Sequence, residues 1–208
     1  MVTSSRAPRR RRSLRSALAL AALAAAGALL APAFSRGDGQ RAAAQAAPAA
    51  GPFAWLRREP VPAGWRVAQL PSGASLPYPP GWHTLGGDAG SFSAALAGPD
   101  GRVLAYLNAT PRQGAESLAG WIRFRPRHLR AEGDRAVRVL SSATGLAPGA
   151  GRGACVGDEY STSLARYREV ACLVEGRPAA TVLVAAAEAG SWRRYAPVLE
   201  SALAGARP

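Results

Sequence analysis

The stretch Ser91–Asn108, SFSAALAGPDGRVLAYLN, decides the fold. Phe92, Ala94 and Leu96 alternate onto one face, the period of a half-buried strand. Val103 to Asn108 is a second apolar strand. Gly98-Pro99-Asp100-Gly101 joins them, because proline presets one dihedral and glycine accepts positive φ. Two strands joined so tightly pair antiparallel. Before this hairpin, Trp65 to Leu70 and Leu76 to Tyr78 read as short strands split by Pro71, Ser72 and Gly73. After it, Ala115 to Phe124 reads as a helix, with Leu118, Trp121, Ile122 and Leu129 at helical spacing. Pro126 lacks an N–H and clashes with the carbonyl four residues back, so this helix should end or kink near Arg125. Strands resume at Ala136 to Leu140, Gly153 to Thr162, Arg168 to Glu175 and Ala179 to Ala187. Trp192 to Leu203 is a last helix with Trp192, Tyr195, Leu199 and Leu203 inward and Pro197 oddly inside it. Strands, helix, strands, helix, with hairpin-length connections, define an α+β domain: an antiparallel sheet with helices packed on it.

The amino-terminal third has another texture. Six arginines fall within Met1 to Arg15, followed by the uncharged, Ala- and Leu-rich Ser16 to Phe34. A positive start, an apolar run and small residues after it make an export signal. Residues 1–35 are therefore expected to be a signal peptide or a signal anchor. Ala31-Pro32-Ala33 fits a cleavage site, while Leu18, Leu20, Leu23, Leu29 and Leu30 favour retention in the membrane. Residues 36–64, rich in Ala, Pro and Gly, read as a flexible linker, interrupted by Phe53, Trp55 and Leu56, which either dock on the domain or form a loose amphipathic turn. The α+β domain is expected over 65–206. All 26 basic residues are arginine, a coding bias rather than a functional signal. From Gly37 onward 19 arginines face 13 acidic residues, a mild surplus of +6. That suits solubility and lacks the dense basic stripe of a nucleic-acid reader, so no nucleic-acid partner is expected.

Cys155 and Cys172 are the only cysteines. Outside the cytoplasm an even pair most simply forms a disulfide. A hairpin centred near Ser163 and Leu164 sets them directly opposite. The same register sets Glu159 against Arg168, which attract, and Asp158 against Glu169, which repel. No Cys-x-x-Cys spacing marks a redox pair, and two Cys with two scattered His make no zinc pattern. No cofactor motif is present; Gly145 to Gly153 lacks the lysine of a phosphate loop.

The histidines, His83 and His128, are the only imidazoles for acid–base chemistry, and no Gly-x-Ser-x-Gly elbow accompanies them. Arg123, Arg125, Arg127 and Arg130 cluster at the helix end beside Trp121 and Phe124. Such a patch would hold an anionic partner through bidentate contacts. The plainer reading is a solvated helix face whose arginines cap the last carbonyls.

Tyr78-Pro79-Pro80-Gly81-Trp82 resembles the aromatic-Pro-x-Gly-Trp turn of the PsbP-like superfamily. The order of elements over about Trp65 to Ala206 is similar. Asn108-Ala109-Thr110-Pro111 with Glu116 to Arg125, and Cys-Val-x-Asp-x-Tyr at Cys155 to Tyr160, resemble a secreted bacterial branch of that group. The resemblance implies an α/β/α sandwich and a non-enzymatic role, docking to a protein partner. The leading expectation is a binding or adaptor domain of the bacterial cell envelope, with an unknown protein or envelope component as partner. It predicts an exposed apolar or arginine-rich patch and no cluster of perturbed titratable groups. An exported hydrolase using His83 or His128 is the rival; it predicts an imidazole in a cleft, bonded to Ser, Asp or Glu. A structural or chaperone-like envelope domain is the third reading.

Overall fold

A computed structural model describes residues 51–148 and 151–208; the apolar run Ser16 to Phe34 lies outside them. The elements, in chain order, are β1 (Arg66–Gln69), β2 (Ser75–Tyr78), β3 (His83–Leu85), β4 (Phe92–Ala97), β5 (Val103–Pro111), α1 (Trp121–Ala131), β6 (Arg135–Leu146), β7 (Gly153–Ser161), β8 (Arg166–Val174), β9 (Thr181–Glu188) and α2 (Trp192–Gly205). A 3₁₀ turn, Ala189–Ser191, leads into α2. Strands β3-β4-β5-β9-β8-β7-β6 form one sheet in that order, every neighbouring pair antiparallel. Strands β1 and β2 make a separate hairpin.

The β4–β5 hairpin forms as its turn chemistry requires. Gly98 donates to Arg102 O, Asp100 Oδ1 accepts from the Arg102 N–H, and Gly101 takes φ +77°. Alternation then sorts the side chains. Leu107 of β5, Cys155 of β7, Cys172 of β8, and Leu183 and Ala185 of β9 face α2, where Leu76, Trp192, Leu199 and Leu203 complete one core. Ala154, Val156, Ala171, Leu173 and Val184 face the other way, onto Trp121 of α1. The α+β class and the α/β/α layering both hold.

The domain extends further in each direction than 65–206. Phe53 and Leu56, inside the stretch read as linker, are buried in the α2-side core, and Arg207 pairs with Ser75 across an isolated bridge. The linker reading of 51–64 is therefore corrected: three aromatic or aliphatic side chains in four residues bury enough surface to dock the segment. The described residues fall within one compact unit, with its own sheet, two cores and a disulfide.

Helix α1 starts six residues later than Ala115 and runs through Pro126 to Ala131. The stretch before it turns instead, because Glu116 accepts from the Gly114 N–H and Ser117 Oγ from the Gly120 N–H. Pro126 costs one backbone bond, but Trp121 and Leu129 on either side of it are buried, and that packing carries the helix across. Pro197 is likewise internal to α2, on its exposed side. Strand β3 was not expected; it is three exposed residues at the sheet edge.

Candidate functional site

Helix α1 packs on β6 and β7 and leaves part of its face of the sheet uncovered. The gap is a cleft of about 450 Å³. Its floor is Tyr106, Asn108 and Thr110 of β5 with Val182 and Val184 of β9; its wall is Trp121, Phe124, Arg125, His128 and Leu129 of α1. The floor is wired in place. Tyr106 Oη and Ser93 Oγ are 3.0 Å apart, Asn108 Nδ2 donates to Ser93 Oγ at 3.0 Å and to Phe92 O at 3.3 Å, and Thr110 Oγ1 lies 3.0 Å from both Asn108 Oδ1 and Ser91 Oγ.

At one end lies a buried charge cluster. Register sets Asp158 opposite Glu169, and their side chains are 0% and 1% exposed. Arg125 answers the repulsion. Its Nε and Nη2 donate to Glu169 Oε1 and Oε2 at 2.6 and 2.8 Å, a bidentate pair, and the Tyr160 hydroxyl donates to Oε2 at 3.3 Å. Burial alone would lower the Arg125 pKa; the Glu169 charge and its hydrogen bonds outweigh that and raise it. Burial, with the Glu169 charge second, pushes the Asp158 carboxyl up to about 8. Asp158 is thus mostly protonated at neutral pH, and neither of its oxygens has a hydrogen-bond partner. Burial also raises Tyr160, reinforced by Glu169, and raises Asp134 at the cleft rim, reinforced by Glu132.

The arginine patch is divided by the helix. Trp121, Arg125 and Leu129 are four apart and share the inward face. Trp121 is buried, with its indole N–H on Ala171 O at 3.0 Å, and stacks on Phe124, which stacks on His128. Arg125 is paired with Glu169 and only 12% exposed, so it stands apart from the exposed arginines of the expected patch. Arg123, Arg127 and Arg130 are exposed, a solvated helix face as in the plainer reading; Arg127 bonds Arg123 O, and Arg130 bonds Pro126 O and Val137 O, so their acceptors lie within the helix and on β6 rather than among the last carbonyls. The expectation of no perturbed titratable cluster is also corrected, since an opposed carboxyl pair inside a sheet needs both a cation and a proton.

His83 is exposed on β3. His128 does line the cleft, with Nε2 3.2 Å from Glu132 Oε1. Among the described residues no Ser, Thr or Tyr hydroxyl is hydrogen-bonded to either ring, and both cysteines are bonded to each other at 2.04 Å. Glu159 does lie opposite Arg168, yet its ion pairs go to Arg138 and Arg166 while Arg168 stacks over Trp192. Hydrogen bonding from Arg166 holds the Glu159 carboxyl below its usual range. Among the described residues no three Asp, Glu, His or Cys side chains converge as metal ligands, and no helix is long and apolar enough to cross a membrane.

The described residues form an antiparallel α/β/α sandwich with a polar cleft beneath α1. Among solved structures the chain is similar to cyanobacterial PsbP from Synechocystis, at 10% identity and TM-score 0.49, over 70% of this chain and 93% of that one. It is also similar to PA94, a Pseudomonas aeruginosa protein of unknown function, at 14% identity and TM-score 0.47, over 69% and 96%. LpqN, involved in cell envelope biogenesis of Mycobacterium tuberculosis, matches at 18% identity and TM-score 0.36, over 71% and 80%. Likeness at this level assigns neither a family nor a role. No family model matches the chain, and no curated protein matches it.

Proposed function

We propose that this chain is an exported, non-catalytic binding domain of the bacterial cell envelope, with the cleft under α1 as its ligand site. The observation that carries the reading is the cleft itself: a concave site of about 450 Å³ whose polar groups are held in fixed positions by a hydrogen-bonded floor. The rival reading, a hydrolase with His128 as base, calls for a nucleophile hydrogen-bonded to that ring, and among the described residues the ring's charged partner is Glu132. The lining carries Asp88, Glu116, Glu132, Asp134 and Glu169 against one guanidinium already paired, so it suits a neutral hydroxyl-rich or cationic group and repels anions. A cell-wall glycan fragment has that chemistry. The arginine-rich head, the apolar run and the cross-strand disulfide support an oxidising space outside the cytoplasm.

The test is a titration of ¹⁵N-labelled Gln45–Pro208 with soluble cell-wall glycan fragments, followed by NMR. Saturable shifts confined to Asn108, Thr110 and the Trp121 indole N–H support the site. Shifts elsewhere, or none, refute it. Ester or amide hydrolysis abolished by His128→Gln would put the hydrolase reading in its place.

A further inference from the structure

A second cavity, of about 550 Å³, lies at the sheet end where β7 begins and β8 ends. Its lining is Arg58, Arg152, Arg177 and Arg207 with Glu175, Gly151, Gly176 and Pro208. Four arginines therefore line it beside one acidic side chain, the reverse of the cleft under α1. The carboxylate does little to offset them, since Arg152 Nε is 3.9 Å from Glu175 Oε2 and the two side chains are 79% and 53% exposed. Among the described residues no ion pair joins Arg58, Arg177 or Arg207 to an acidic side chain. Arg207 is fixed by donating to Ala204 O, Ala206 O and Glu59 O at 3.3, 2.8 and 2.8 Å. Burial, and then the charge of Arg58, lower its pKa. The walls close because two glycines allow it: a Cβ on Gly151 would strike Glu175 O, and one on Gly176 would lie 2.5 Å from the Pro208 carbonyl carbon.

We propose that this pocket binds the phosphate of anionic phospholipid headgroups and seats the domain on a membrane surface. Arginine forks match phosphate oxygens bidentately, and an anion placed among these four relieves their mutual repulsion. Position supports the lipid as the source. Arg58 follows Phe34, the end of the apolar run, by 24 residues in sequence (58 − 34), so retention of that run in a membrane tethers the pocket within reach of the lipid surface. Exposed Arg58, Arg152 and Arg177 stand free for a headgroup to reach.

The test is cosedimentation of Gln45–Pro208 with vesicles of phosphatidylcholine alone and with added phosphatidylglycerol. Binding to the mixed vesicles and not to pure phosphatidylcholine is expected. The double substitution R152A/R177A removes two exposed arginines and should weaken it about thirtyfold. The control R123A/R127A removes the same charge from α1 and should leave it nearly unchanged. Glu175→Gln deletes the one opposing carboxylate and should tighten it. Equal loss in the two doubles means diffuse attraction and overturns the pocket, as does weakening in Glu175→Gln. Binding of inorganic phosphate without vesicle binding overturns the lipid source, and binding to neither overturns the site.

Discussion

Replacing Arg125 by Met keeps a long, flexible side chain beneath α1 and deletes only its charge and hydrogen bonds. Glu169, 1% exposed, then loses two charge-assisted bonds of 2.6 and 2.8 Å and keeps one from Tyr160 at 3.3 Å. Asp158 stands directly opposite and offers no compensation. Breaking a buried ion pair by removing one partner costs about 3–5 kcal/mol, because the other charge stays buried and uncompensated. With a urea m-value of about 2 kcal/mol/M, the unfolding midpoint should fall by about 2 M at pH 7. The double substitution R125M/E169L removes both charges and should recover to within about 1 kcal/mol of the parent. Equilibrium urea unfolding, followed by tryptophan fluorescence and circular dichroism, reads all three proteins. A midpoint drop below about 0.5 M for R125M alone would refute the reasoning, since it would mean that Glu169 is solvated.

Asp158→Asn tests the proton. The Asp158 pKa is raised from near 4 unfolded to about 8 folded, so the folded state holds the proton longer. Stability should therefore decline from pH 4 to 8, with a slope of at most about 1.4 kcal/mol per pH unit, and the Asn variant should flatten that decline. A parent whose stability climbs over that window contradicts the assignment. The pair C155A/C172A opens a loop of sequence separation 17 and should lose about 3 kcal/mol, measured by urea unfolding against the oxidised parent. Gly205→Ala places a Cβ 2.8 Å from Pro77 Cγ, where α2 meets β2, and should lower stability by about 1–3 kcal/mol in the same assay. Trp121→Phe deletes the indole N–H bond to Ala171 O and leaves a void beneath α1, and should cost about 1–3 kcal/mol with the fold intact by NMR.

The β7–β8 hairpin was legible to the residue. Turn placement near Ser163 and Leu164 puts Cys155 against Cys172 and Asp158 against Glu169, and both pairs are observed. The carboxyl opposition carried more meaning than repulsion: two acids facing each other within a sheet require a cation, and the cation had a readable position. Arg125 lies four residues from Trp121 and four from Leu129, the spacing of one helix face, whereas Arg123 and Arg127 fall off it. The patch was read from composition when the period already separated its members. The start of α1 was not readable, because Glu116 and Ser117 satisfy nearby N–H groups and compete with the helix, and Pro126 was overruled by packing on both sides of it. Strand choice did not show the cleft either. Asn108 and Thr110 read as ordinary strand residues, and only the β5–β9 pairing, far apart in sequence, sets them beneath α1.

Calorimetric titration of Gln45–Pro208 with soluble cell-wall glycan fragments, beside a Thr110→Trp variant that fills the cleft floor, addresses the ligand site without intermediaries. The account predicts saturable heat for the parent and none for the variant, while the variant's binding to phosphatidylglycerol vesicles stays unchanged. Equal heats for the two proteins would place the ligand outside the cleft and contradict it.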